Sequence, residues 1–102
     1  MWTVLFSIDA ISDIQNLLKQ NLLSEADREI IATWIKQIRA FGPESLSHGV
    51  NLWHDHELFG KWAGYRSSSF SFKGRLIYKV ERTKVIVLVV KLTATHDYSR
   101  RK

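Results

Sequence analysis

The hydrophobic pattern of the chain changes period once, and the change falls at Gly42-Pro43. Before that step apolar residues recur every three or four positions; after it they alternate or run continuously. A helical half must therefore pack on a sheet-forming half. Upstream, Trp2 to Ser7 is rich in strand formers and is expected to make a first strand. Asp9 to Lys19 then sets Ile11, Ile14, Leu17 and Leu18 at helical spacing. Ser24 followed by Asp27 has the form of a capping box, in which the serine oxygen accepts an orphan backbone N–H at the start of a second helix. Ile30, Ile31, Trp34, Ile35 and Ile38 form one apolar stripe, and Gly42 with Pro43 behind it stops that helix.

Downstream, 64–72, 75–81 and 85–92 read as strands separated by Lys73-Gly74 and by Arg82-Thr83-Lys84, spacings short enough for hairpins and an antiparallel sheet. The last of these is apolar at nearly every position, which predicts a central strand covered on both faces. Alternation puts Leu76, Tyr78 and Val80 on one face of the middle strand and Arg75, Ile77 and Lys79 on the other. The helices are expected to cover the first face and leave the second partly open. No repeat or linker interrupts the 102 residues, so a single α+β domain is expected.

The chain has no cysteine, which excludes disulfides, thiolate metal sites and cysteine nucleophiles. Met1 to Phe6 lacks the basic start of a signal peptide, and the longest apolar stretch, Val85 to Val90, is far too short to span a bilayer. A soluble protein of a reducing cytoplasm, without membrane contact, is the expectation. The charge is lopsided: residues 51–102 hold eleven basic and four acidic side chains, residues 1–50 four basic and six acidic. A basic half favours a polyanionic partner, because each cation that meets a phosphate releases a condensed counterion.

Three histidines bear on chemistry: His54 and His56 precede the first C-terminal strand and His96 follows the last. In a three-stranded meander those two ends can share one face, so His56 and His96 can flank a common groove. An RNA phosphodiester breaks without metal when a base takes the 2′-OH proton, an acid protonates the departing 5′ oxygen and a cation stabilises the phosphorane. An imidazole set among cations has its charged form disfavoured, which keeps a neutral base near neutral pH. Arg75 offers a permanently charged fork for the phosphate, and Tyr98 and Phe70 offer rings for a base. His48 and His54 have the plainer reading of surface residues, and Trp53 and Trp62 that of packing residues. The His-Asp-His run at 54–56 is a weak metal pattern without further ligands. The hydroxyls of Ser67, Ser68, Ser69 and Ser71 lack the elbow motif of a serine nucleophile.

The run Asp55-His56-Glu57-Leu58-Phe59-Gly60-Lys61-Trp62-Ala63-Gly64-Tyr65-Arg66, then Arg75-Leu76-Ile77-Tyr78-Lys79-Val80, then Thr95-His96-Asp97-Tyr98, resembles the RelE/ParE toxin superfamily, on its YafQ- and YoeB-like branches. The resemblance implies the order β-α-α-β-β-β and a type II toxin that cleaves mRNA on the ribosome without a cofactor. It makes His56 the general base, His96 the general acid, Arg75 the phosphate ligand and Tyr98 a site aromatic. Arg66, Lys73, Lys91, Arg100 and Arg101, with the ring of Phe70, are the expected RNA-contacting set, the basic tail suiting ribosomal RNA. An acidic antitoxin, partly disordered until bound, is the implied protein partner. The chain departs from the pattern at Ser69 and Lys73, where YafQ-like toxins carry histidine and aspartate, and near Asn51, where YoeB-like toxins carry a glutamate base. A ParE-like inhibitor of DNA gyrase and a non-catalytic antitoxin-binding domain remain the alternatives.

Overall fold

The structure, a computed structural model, describes residues 1–95. In chain order it runs β1 (Thr3–Phe6), α1 (Ile8–Lys19), α2 (Glu25–Phe41), β2 (His56–Glu57), β3 (Arg66–Ser69), β4 (Arg75–Glu81) and β5 (Ile86–Thr93). The five strands form one sheet in the order β1-β5-β4-β3-β2, with both helices packed on it. This is the expected α+β arrangement with two corrections. The sheet is mixed, because β1 lies parallel to β5, with Thr3 opposite Ile86 and Phe6 opposite Val89. A parallel neighbour needs a long crossover, and the helical hairpin supplies it. The short strand β2, opposite Ser67 and Arg66, is an addition at the far edge. The apolar β5 is an inner strand, flanked by β1 and β4, as its composition requires.

Local signals explain the helices. Ser7 caps α1, its Oγ accepting from the Ala10 N–H at 3.1 Å. The capping box at α2 closes in both directions, Asp27 N–H to Ser24 Oγ at 3.0 Å and Ser24 N–H to Asp27 Oδ2 at 3.1 Å. Gly42 ends α2 at φ +86°, a conformation that favours glycine, and its missing Cβ leaves room for the Trp2 indole, which one would approach to 3.1 Å. Within the helices the buried stripe is narrower than the apolar spacing predicts. On α1 it is Ala10, Ile14 and Leu17, while Ile11 and Leu18 face solvent; on α2 it is Ile31, Trp34, Ile35 and Ile38, while Ile30 is turned outward. Ala10 sits flush against the sheet and sets the rotation of α1, so only the residues one and two turns beyond it share its face.

Leu76, Tyr78 and Val80 of β4 meet the helices, as alternation predicts, together with Val87, Val89 and Leu92 of β5. The opposite face is less open than expected. Leu58 and Trp62, from the segment between β2 and β3, fold over Ile77, with Tyr65 and Val90 beside them. A bulge between Ile77 and Tyr78 leaves Val90 unpaired in β5. Where β1 ends, the next free N–H on that edge of β5, at Leu92, is met by Asp13 Oδ2 of α1 at 3.0 Å. No helix among the described residues is long and apolar enough to cross a membrane.

Candidate active site

A hollow of roughly 1100 Å³ opens between α2, the segment before β2, and the turn joining β3 to β4. Its α2 wall is Ile30, Thr33 and Gln37. Leu52, Trp53, His54 and His56 form a second wall. Ser69 to Phe72 and Arg75 complete it. The Trp53 indole N–H donates to Gln37 Oε1 at 3.1 Å and ties the first two walls together. Thus the hollow unites His56 and Arg75, which the sequence separates by most of a hairpin.

The segment carrying His56 is held from below. Asp55 is 4% exposed, so its carboxylate needs internal partners. Oδ1 accepts from Arg66 Nε at 2.8 Å and Nη2 at 2.7 Å, and Oδ2 accepts from the Ser68 hydroxyl at 2.6 Å and the Tyr78 hydroxyl at 2.5 Å. Ser68 in turn accepts from the Trp34 indole N–H at 2.9 Å, and the Trp34 and Tyr78 rings meet edge-to-face with centroids 5.4 Å apart. Burial, with the Asp55 charge beside it, pushes the Tyr78 phenol well above its ordinary value. Burial alone would lower the Arg66 guanidinium, but its hydrogen bond and attraction to Asp55 outweigh that and hold it above its ordinary value.

His54 adopts φ +46°, an uncommon conformation for a residue with a Cβ. Its carbonyl oxygen lies 2.8 Å from His56 Nδ1. A carbonyl only accepts, so this contact favours the tautomer with the proton on Nδ1, which in the neutral ring leaves the lone pair on Nε2. Across the hollow, Arg75 Nη1 donates to the carbonyls of Gly74 at 2.9 Å, Phe72 at 3.2 Å and Ser71 at 3.4 Å, which fixes the guanidinium at the rim of the turn. In the sheet register Arg75 stands between Ser69 of β3 and Thr93 of β5.

The other expected site residues scatter. Phe70 lies at the hollow, yet its ring is 3% exposed and belongs to the core, so Phe72, 91% exposed, is the accessible aromatic of that wall. Arg66 is turned into Asp55, and Lys73 is exposed on the turn without lining the hollow. Lys91 stands 3.9 Å from Asp13 of α1, away from the hollow. His96, Tyr98, Arg100 and Arg101 lie outside the described residues. Among the described residues no three His, Asp or Glu side chains are placed to share a metal ion. Sequence reasoning named Asn51 and Asp55 only as motif positions and missed the hydrogen bonds by which they hold the segment before β2. The signal available was an Asn and an Asp four positions apart in a segment without periodicity, a spacing at which side-chain amides often close a loop.

No family model matches the chain, and no curated protein matches it. Solved structures do. A copper-bound mutant toxin from Helicobacter pylori superposes with a TM-score of 0.73 at 19% identity, covering 96% of this chain and 99% of that one. The E. coli DinJ–YafQ complex gives 0.70 at 17% identity, covering 99% and 100%. The YoeB–YefM complex from Staphylococcus aureus gives 0.65 at 19% identity, covering 91% and 95%. The arrangement of two helices on a five-stranded mixed sheet is therefore the RelE-like fold of the YafQ and YoeB toxins.

Proposed function

We propose that this chain is the toxin of a type II toxin-antitoxin system, a cytoplasmic, ribosome-dependent endoribonuclease that cleaves mRNA by metal-independent acid-base chemistry. The observation that carries this reading is the shared hollow, lined by a histidine whose Nδ1 lies against a carbonyl and by an arginine anchored on its turn. His56 Nε2 takes the proton of a ribose 2′-OH, the 2′ oxygen attacks the adjacent phosphorus, and the P–O5′ bond breaks to leave a 2′,3′-cyclic phosphate. His96 protonates the departing 5′ oxygen, and Arg75 neutralises the charge that gathers on the phosphorane.

Tyr98 and the exposed Phe72 serve as base-stacking rings, with Lys73, Arg100 and Arg101 on messenger and ribosomal phosphates. The partner that silences the toxin is an acidic antitoxin, in keeping with the antitoxin complexes among the similar structures. Induced expression tests the reading. It should arrest translation, with cellular mRNA cut within codons. His56→Gln, His96→Gln and Arg75→Ala should each lower cutting by about 10²- to 10⁴-fold and restore growth. Growth arrest with DNA damage and intact mRNA would replace this reading by the gyrase-inhibitor one.

A further inference from the structure

Asn51 makes two hydrogen bonds that no catalytic assignment uses. Its Oδ1 accepts from the Asp55 N–H at 2.9 Å, and its Nδ2 donates to the Asp55 carbonyl at 2.9 Å. The side-chain amide thus stands in for a strand neighbour and grips both backbone groups of Asp55. The Asp55 N–H belongs to the same rigid, trans peptide plane as the His54 carbonyl. Fixing one end of that plane fixes the other, and the other end is the acceptor for His56 Nδ1. The plane cannot drift, because the Asp55 carboxylate is anchored by Arg66, Ser68 and Tyr78 from two strands beneath it. His54, held at φ +46°, absorbs the resulting twist.

We infer that Asn51 and Asp55 form a clamp that sets the tautomer of His56: they hold the His54 carbonyl against Nδ1 and so reserve Nε2 as the basic nitrogen. Both are positioning residues that act through the backbone. The use of Nε2 rests on the ribonuclease reading above; the tautomer does not. An imidazole free in water favours the opposite form, with the proton on Nε2, so the clamp works against the default and its effect is measurable.

The experiment is nitrogen-15 NMR of the histidine rings in the full chain, at a pH where they are neutral, with His56→Gln used to assign the signal. Wild-type His56 should be mainly the Nδ1–H tautomer. Asn51→Ala should return it to mainly Nε2–H and, in cleavage of mRNA on ribosomes, lower kcat by roughly 10- to 100-fold with KM unchanged, as expected for a misplaced group that does not bind substrate. Asn51→Asp, which keeps the acceptor for the Asp55 N–H but sets an oxygen against the Asp55 carbonyl, should retain more of the Nδ1–H form and of kcat than Asn51→Ala but less than wild type. A wild-type ring protonated on Nε2 overturns the clamp, and this holds even if Asn51→Ala fails to fold. So does an Asn51→Ala protein that folds with an unchanged tautomer. If the tautomer shifts as expected and no variant cuts mRNA, the clamp stands and the ribonuclease reading falls.

Discussion

A carboxylate buried like Asp55 makes its partners depend on it as much as it depends on them. Removing the Tyr78 hydroxyl takes one donor from a charged acceptor in a dry setting, where such a bond contributes about 1.5–3 kcal/mol. Tyr78→Phe should lower the unfolding free energy by that amount in urea denaturation, and no measurable loss would contradict the network described here. The alkaline side gives a second readout. The folded phenol is held above its ordinary value of 10.0 by burial and by Asp55, so folding favours the protonated form. That contribution is complete below pH 10.0 and fades as pH rises beyond it, when the unfolded tyrosine ionises first. The stability advantage of wild type over Tyr78→Phe should therefore shrink above that pH.

At this scale the sequence was only partly legible. That His56 could share a groove with residues of the later strands was readable, and the structure does set His56 and Arg75 on one hollow. Asp55 was not, since its partners lie 11, 13 and 23 positions away and meet only through strand pairing. For the same reason Arg66, which sequence alone offers as an RNA contact, is occupied by an internal ion pair. Asn51 sits where YoeB-like toxins are expected to carry a glutamate base, and here its amide is spent on the Asp55 backbone.

Among the elements, the β3–β4 turn decides the shape of the hollow. Gly74 is buried, and a Cβ there would run into the Phe70 ring and fall 2.6 Å from Ser71 Oγ. Gly74 is what allows the Phe70 ring to fold under the turn into the core, leaving Phe72 outside. Gly74→Ala should cost about 1–3 kcal/mol through overpacking, read from the thermal or urea transition, and should displace the carbonyls that hold Arg75. An alanine variant as stable as wild type would mean that Phe70 is free to move. Elements were the most legible scale. Both helices, the capping box, the Gly42 stop and the three C-terminal strands followed from period and punctuation. The parallel seat of β1 did not, because a strand's neighbour is chosen by the crossover and not by its own residues. The exposure of Ile11, Leu18 and Ile30 did not either, since an apolar spacing wider than the contact leaves its margins in water.

For the whole molecule, the basic balance of residues 51–102 is in keeping with the polyanionic partner proposed above. Binding to ribosomes should weaken linearly in log–log form with salt, and Lys73→Ala should reduce that slope by about one phosphate contact. An unchanged slope would remove Lys73 from the interface. The central proposal is that this protein cuts mRNA on the ribosome through His56. Primer extension on mRNA incubated with purified protein, with and without ribosomes, tests it most directly. Discrete cuts should appear only when ribosomes are present and should slow by at least about 10²-fold in His56→Gln. Cuts of equal rate in that variant, or none by the wild-type protein, would contradict the claim.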